Sequence, residues 1–276
     1  MRIRATVAAL SGTLALSALA VPAAQAADGP NLTQRETAIA KAAADETVGD
    51  TKITKVVVNK GKNIVVGTTN KVKFDIAITA TDAEGIFAGD ASLWHGSDID
   101  NLDGFLFSED SGTCTAVNAT TSTCTVSVVV DPKLDLYDNV LAGKWKVAAS
   151  AIGNDGDYYQ EDNFSSNARI QRYARLTTNA SPEPIKKGKT LTVSGALTRA
   201  NWYTSKYAGY TQQDVKLQYK KKGASSYSTL KTVKSDSKGN LKTTVKASAD
   251  GYFRYVFAGT STTPAVTSKS DFVDVQ

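Results

Sequence analysis

The segment KVKFDIAIT at residues 71–79 alternates large apolar side chains with charged or small ones. A β-strand repeats every two residues, so Val72, Phe74, Ile76 and Ile78 share one face that a core can bury. Similar short runs recur along the chain between turns rich in Asp and Gly, and no amphipathic helical pattern separates them. The sequence therefore predicts an all-β protein.

The length and the spacing of these runs predict two domains. A chain of 276 residues suits about two domains of roughly 100–200 residues each. Residues 174–276 hold about seven short strand patterns with a turn every 8–12 residues, which is typical of an immunoglobulin-like (Ig-like) sandwich. One pattern, LTVS at 191–194, is expected to end at Gly195. We predict two tandem Ig-like β-sandwiches, at residues 51–173 and 174–276.

The first residues have the layout of a secretory signal peptide. Two arginines precede an apolar run at residues 5–20, and Ala24-Gln25-Ala26 is a small-x-small cleavage site. We predict a signal peptide at 1–26 and a short helical or disordered arm at 27–50, and we expect a secreted, extracellular protein. No other stretch is apolar over the roughly 20 residues that a membrane-spanning helix needs, so no transmembrane segment is expected.

The two cysteines are expected to form a disulfide. Cys114 and Cys124 are the only pair, and export brings them into an oxidising compartment. Each lies in a short strand pattern, and a hairpin folded about Ala119 places them opposite each other, close enough to bridge. A redox-active role would need a C-x-x-C spacing, which the sequence lacks.

The two predicted domains carry opposite charge. Residues 27–173 contain 13 Lys/Arg against 21 Asp/Glu, a net charge of −8, whereas residues 174–276 contain 17 against 6, a net charge of +11. This asymmetry favours an anionic polymer or surface as the partner of the second domain. Nucleic acid is not expected, because an exported protein without a recognised nucleic-acid-binding motif is a poor candidate for it.

The composition leaves few groups for catalysis. One His and two Cys exclude a His-based or Cys-rich zinc site and an iron–sulfur site. A Ser-His-Asp relay would have to use His95, and the sequence has no Gly-x-Ser-x-Gly elbow. We therefore predict no catalytic residue and a non-enzymatic protein.

Two groups of acidic residues in turns are candidate calcium ligands, because Ca²⁺ takes several oxygen ligands from flexible loops. They are Asp98, Asp100 and Asp103 in one group, and Asp155 and Asp157 in the other. Loops at the same end of a sandwich lie close together, so the two groups form one site only if both lie at the same end. Neither group fits the EF-hand register. Ca²⁺ is the one cofactor that the sequence suggests.

Two groups in the second domain are candidate ligand-binding residues. A predicted loop at 200–211 carries the aromatic residues Trp202, Tyr203, Tyr207 and Tyr210. If the rings are exposed, they can stack on sugars or fill a partner's pocket. If the loop folds back, it buries them over the end of the sandwich. We favour the second interpretation, because four exposed rings would form a large apolar patch. A predicted hairpin turn supplies the other group, Lys220, Lys221 and Lys222.

Parts of the chain resemble a known family. The segments NWYTSKYAGY at 201–210, VKLQY at 215–219 and GYFRYVFAGT at 251–260 resemble the Ig-like C-terminal modules of uncharacterised bacterial secreted proteins. The segments at 56–68 and 79–82 look like the N-terminal Ig-like repeat that often precedes such modules. The resemblance implies an Ig-like fold and export, and it implies no reaction and no catalytic residue.

These observations favour a secreted, non-enzymatic binding or structural protein. Its basic second domain would engage an anionic cell-surface polymer or a protein partner. The alternatives are a calcium-binding extracellular sandwich, a secreted hydrolase that uses His95, and a protease inhibitor that offers a surface loop.

Overall fold

The computed structural model describes residues 46–108 and 110–276. The predicted signal peptide at 1–26 and residues 27–45 of the predicted arm lie outside the described residues. Within the described ranges the regular secondary structure is almost entirely β-strand, and no helix there is long and apolar enough to cross a bilayer.

Short and medium-length strands follow one another along the whole described part of the chain. In chain order they are β1 (Glu46–Val48), β2 (Lys52–Val58), β3 (Ile64–Val66), β4 (Val72–Thr81), β5 (Ile86–Gly96), β6 (Leu102–Leu106), β7 (Thr113–Asn118), β8 (Thr121–Val130), β9 (Gly143–Lys144), β10 (Lys146–Gly153), β11 (Tyr158–Phe164), β12 (Arg169–Arg172), β13 (Ala174–Leu176), β14 (Asn179–Ser181), β15 (Thr190–Asn201), β16 (Lys206–Gly209), β17 (Asp214–Lys221), β18 (Ser228–Lys234), β19 (Asn240–Lys246), β20 (Gly251–Phe257), β21 (Val266–Thr267) and β22 (Asp271–Val273). Two short 3-10 helices span Asn59–Gly61 and Asn139–Leu141.

The first domain is a sandwich of two antiparallel sheets, with strand orders β1-β11-β10-β5-β6 and β2-β4-β8-β7. The alternating segment at 71–79 lies in β4, and its Phe74, Ile76 and Ile78 are buried in the core. Trp145 is fully buried in the same core, and its indole N–H donates to the Leu141 carbonyl at 2.8 Å. A third, smaller sheet has the order β3-β12-β9.

The second domain is also a sandwich of two sheets. One sheet centres on β15, which pairs with β13, β14, β16 and β19; the other has the order β18-β17-β20-β21, with β22 also paired to β20. Tyr255 of β20 is fully buried, and its hydroxyl donates to the Val193 carbonyl of the opposite sheet at 3.0 Å. The predicted all-β fold with tandem Ig-like sandwiches is confirmed.

Several local predictions differ from the structure. The last residues of the predicted arm form β1, which pairs with β11 in the middle of the chain. The strand expected to end at Gly195 runs on to Asn201, and a Cβ on Gly195 would collide with the Thr177 carbonyl. The glycine therefore permits a close backbone approach rather than ending the strand.

The predicted loop at 200–211 is largely a hairpin. The end of β15 pairs with β16, with Ala200 opposite Tyr207 and Asn201 opposite Lys206. The predicted lysine turn is likewise mostly strand, because Lys220 and Lys221 close β17 and Lys222 alone of the three lies in the turn. These residues form strands because they pair with strands that are distant in sequence, and a local sequence pattern does not reveal such pairing.

The predicted disulfide is present. Cys114 of β7 lies opposite Cys124 of β8, and their sulfur atoms are bonded. A bulge shifts the pairing near the turn, so that Asn118 rather than Val117 lies opposite Thr121.

Candidate functional site

The predicted aromatic loop forms a contact between the two domains. Trp202 is only 2% exposed, and its indole N–H donates to the Gly67 carbonyl of the first domain at 2.9 Å. Its backbone N–H donates to Asn139 Oδ1 at 3.0 Å, and the Asn139 amide donates to Asn201 Oδ1 at 2.9 Å. Trp202 packs with the core of the first domain. The Trp202 ring is therefore not available to bind a ligand, because the hairpin inserts it into the first domain.

The other three rings of this loop do not form a single patch. Tyr207 is partly buried beneath the Arg175 guanidinium, 3.4 Å from its ring centroid, and Tyr210 packs edge-on against Phe257. Tyr203 is 73% exposed. The structure thus separates one exposed tyrosine from two packed ones.

One arginine, Arg172, reinforces the contact between the domains, and a second, Arg199, lies near it within the second domain. Arg172 donates from Nε to the Ala200 carbonyl at 2.6 Å, and Arg199 lies over the Tyr210 ring at 3.7 Å. Burial, together with the nearby charge of Arg199, lowers the pKa of the Arg172 guanidinium to about 10. Arg172 remains charged at neutral pH, and it contributes packing and hydrogen bonding to the contact.

The two predicted calcium-ligand groups do not converge. β5 and β10 are antiparallel neighbours, with Trp94 opposite Lys146 at one end and Ile86 opposite Gly153 at the other. The turn with Asp98 and Asp100 follows the Trp94 end, and Asp103 lies just after it in β6, whereas Asp155 and Asp157 follow the Gly153 end. At about 3.3 Å per residue the two groups lie about 25 Å apart, so a joint site is excluded.

A different set of carboxylates does come together, and we name it the carboxylate cluster. It consists of Asp50, Asp82, Glu84, Asp155 and Asp157. Carboxylate oxygens of the first three lie within 4.8 Å of one another, as do those of Asp82, Asp155 and Asp157.

Hydrogen bonds within the chain arrange this cluster. Asp82 is 3% exposed; its carboxylate accepts from the Thr51 hydroxyl and from the Glu84 backbone N–H. Asp157 accepts from the Asp50 backbone N–H at 2.7 Å. Desolvation and the charges of Asp155, Asp82 and Asp50 raise the pKa of Glu84. The sequence showed residues 82–85 only as a turn, because the strand order that brings Asp155 beside it is not local.

His95 has an acidic partner, but the third group of a catalytic relay does not contact it. Its Nδ1 lies 2.5 Å from Asp103 Oδ1, and its ring packs 5.5 Å from that of Trp145. No Ser, Thr or Cys side chain among the described residues hydrogen-bonds to this ring. The pair supplies two of the three groups that a relay needs.

Of the lysine group, Lys220 belongs to a larger surface on the outer side of β17, β20 and β22, which we name the aromatic–cationic face. Val215 and Leu217 of β17 point into the core, as do Phe253 and Tyr255 of β20, so the alternate residues point outward. The face consists of Lys216, Lys220, Tyr252, Arg254 and Phe272, together with Tyr227, which precedes β18 and whose ring lies beside Lys220 and Arg254.

Rings and cations alternate across this face. The Lys220 ammonium lies 5.2 Å from the centroids of both Tyr227 and Tyr252, and the Arg254 guanidinium lies 3.6 Å from that of Tyr227. The Tyr252 and Phe272 rings pack 5.1 Å apart. Of the three predicted lysines, Lys220 belongs to the face, and Lys222 lies at its border over the Phe272 ring. Tyr252, Arg254 and Phe272 join the face through strand pairing, which the sequence does not reveal.

Comparisons with known proteins identify no family for this chain. Neither protein-family models nor curated proteins give a match. Among solved structures, a marsupial T cell receptor aligns over 80% of this chain and 72% of its own, with 11% identity and a TM-score of 0.41. Fibronectin(III)-like modules of Clostridium thermocellum CbhA align over 80% and 93%, with 13% identity and a TM-score of 0.32.

A third similar structure is latent PorU from Porphyromonas gingivalis, with 12% identity and a TM-score of 0.28. The alignment covers 82% of this chain but only 20% of the PorU chain. At scores this low, the assignment of Ig-like sandwiches rests on the strand order and register of the chain itself.

Proposed function

We propose that this chain is a secreted, non-enzymatic bacterial protein whose basic second domain binds an anionic polymer or protein partner at a cell surface. The observation that carries the proposal is the net charge of +11 on residues 174–276, set beside −8 on residues 27–173. Opposite potentials steer an anionic partner to one domain and away from the other.

The exposure of the charges supports this proposal. Lys231, Lys242 and Lys246 are exposed on the second domain, and only Lys222 and Lys234 of its lysines pair with a carboxylate among the described residues. The other lysines of this domain have no carboxylate partner among the described residues and can therefore meet an external anion. Salt screens such attraction over about 10 Å at 0.1 M, so the binding should weaken steeply as salt is added.

The test is retention of the whole chain on beads that carry polygalacturonate, with neutral dextran beads as the control. We expect retention on polygalacturonate only, and elution by salt. Lys220→Gln, Lys231→Gln and Lys242→Gln together should reduce retention. The matched control replaces Lys52, Lys55 and Lys62, exposed lysines of the acidic domain, by Gln. Equal loss from both triple variants, or no retention of the wild type, would contradict the proposal.

The second candidate is calcium binding at the carboxylate cluster, favoured by the two sets of carboxylate oxygens within 4.8 Å. Extracellular calcium sites have dissociation constants of about 10⁻⁴–10⁻³ M, so about 10 mM calcium should stabilise the fold by about 1–3 kcal/mol. Thermal melts with calcium and with a chelator measure this.

A matched pair of variants locates that effect. Asp155→Asn with Asp157→Asn should abolish the calcium shift, whereas Asp98→Asn with Asp100→Asn should leave it unchanged. A wild-type melt that calcium does not move removes this candidate.

A further inference from the structure

We propose that the aromatic–cationic face is the binding site for an anionic polysaccharide whose sugar rings carry carboxylates, such as a polyuronate. The proposal rests on the proposed function and narrows it from a whole basic domain to one surface and one class of ligand. A charge excess alone attracts any polyanion, whereas this face combines cations with rings in a fixed pattern.

The cations of the face are held in place before any ligand arrives. The Arg254 guanidinium lies on the Tyr227 ring, and its Nε donates to Gln218 Oε1 at 2.9 Å. Lys220 lies between two rings. Immobilising a free side chain on binding costs about 0.5–1.5 kcal/mol, and contacts that already restrict these cations lower that cost. Lys231 and Lys246, elsewhere on the domain, are each held by one hydrogen bond, to the Thr244 carbonyl and to the Thr190 hydroxyl, and not by an aromatic ring among the described residues.

The same cations are not neutralised within the chain. Lys216, Lys220 and Arg254 form no ion pair in the part of the chain that the structure describes. Two carboxylates at the starts of strands in this sheet have other partners: Asp250, just before β20, pairs with Lys222 at 3.4 Å, and Asp271 of β22 accepts from the Ala180 backbone N–H at 2.6 Å. The face therefore presents positive charge to an external anion.

The rings are what favour a polysaccharide over a simple polyanion. Tyr227, Tyr252 and Phe272 are partly exposed beside the cations, and aromatic rings offer an apolar surface to the C–H groups of a sugar. A guanidinium binds a carboxylate with two parallel hydrogen bonds. Lys220, Tyr252 and Phe272 lie in one row across three strands, about 10 Å at a strand spacing of about 4.8 Å. The row is long enough to follow a chain rather than a single small anion.

The experiment titrates the full chain with polygalacturonate at low salt and compares two double variants. Lys220→Gln with Arg254→Gln removes two charges from the face. Lys242→Gln with Lys246→Gln removes two exposed charges from the other sheet of the same domain. We expect the face variant to bind about tenfold or more weakly, because charge-assisted hydrogen bonds are lost, and the control to change less than about twofold.

The outcomes separate this proposal from the broader one. Equal weakening of both double variants overturns the site on this face but leaves binding by the basic domain intact. Binding of inorganic polyphosphate without binding of polygalacturonate overturns the polysaccharide as the ligand, whereas no binding of either polymer by the wild type contradicts the proposed function itself. Thermal melts of each variant show whether a loss reflects binding or folding, and Arg254→Lys, which keeps the charge but not the fork, should bind more weakly than wild type and more tightly than Arg254→Gln.

A second arm distinguishes the polysaccharide from charge alone. Tyr227→Leu with Tyr252→Leu keeps every cation but frees Lys220 and Arg254 from their rings, so it should weaken the binding of both polymers, and that of polygalacturonate several-fold more than that of inorganic polyphosphate. Equal effects on both polymers, or no effect on either, would overturn the role of the rings in recognising sugars.

Discussion

Replacing Trp202 by Ala should destabilise the protein by removing the central side chain of the contact between the domains. Trp202 is 2% exposed and packs with the core of the first domain, although the chain places it in the second. A tryptophan buries about 150–250 Å², and Trp→Ala substitutions in cores cost about 3–5 kcal/mol. We expect a loss in that range.

Two further variants divide this loss into its parts. Trp202→Phe keeps most of the ring but removes the N–H that donates to the Gly67 carbonyl at 2.9 Å. A buried carbonyl left without its donor costs about 1–3 kcal/mol, so Trp202→Phe should lie between wild type and Trp202→Ala. Tyr203→Ala is the control, because its side chain is 73% exposed and its loss should change stability by no more than about 0.5 kcal/mol.

The assay is urea unfolding followed by circular dichroism, with the midpoint and slope compared across the three variants. The prediction requires the order Tyr203→Ala, Trp202→Phe, Trp202→Ala, from least to most destabilised. If Trp202→Ala and Tyr203→Ala had the same midpoint, the tryptophan would not hold the domains together, and the account of this loop would be wrong.

Three further predictions concern stability. Cys114→Ser with Cys124→Ser should lower the free energy of unfolding by about 2.7 kcal/mol, because the disulfide removes the entropy cost of closing a loop of this length. In urea unfolding, a midpoint shift smaller than that of the control variant Ser127→Ala would contradict this prediction. Desolvation and the charges of Glu46 and Asp162 raise the pKa of Tyr158 to about 12, from about 10 in the unfolded chain. As pH rises, Tyr158 therefore loses its phenolic proton in the unfolded chain before it does so in the folded chain, and up to about 2–3 kcal/mol of stability that is present below pH 10 is lost by pH 12. Melts of Tyr158→Phe should show a smaller loss of stability between about pH 10 and pH 12. Gly195→Ala should lower the free energy of unfolding by about 1–3 kcal/mol, because the added Cβ collides with the Thr177 carbonyl. An unchanged midpoint in urea unfolding would contradict this close approach of the two strands.

The sequence predicts the fold well because its main signal is local. A period of two in residues 71–79 is enough to identify a strand and its buried face, and two cysteines flanking a short turn are enough to pair them. Strand order is not local. It separates Asp98 from Asp155 and brings Asp82 beside Asp155, and neither result follows from spacing along the chain.

The candidate site was predicted only in part for the same reason. The run Lys220–Lys222 is visible in the sequence, but Arg254 and Phe272 join it through pairing across β17, β20 and β22. Trp202 looked like part of an aromatic loop, and a hairpin that docks on Gly67 buries it instead. Composition identified which domain is basic, whereas the strand register determines which of its cations lie among aromatic rings.

Binding of an anionic polymer by the basic domain is measured by an equilibrium titration of the whole chain with polygalacturonate at about 0.05 M and about 0.2 M salt, a range over which screening of exposed charges changes strongly. If the basic domain binds an anionic polymer, affinity should be measurable at the lower salt concentration and fall several-fold at the higher one. Binding that salt does not change, or no binding at the lower salt concentration, would contradict the claim.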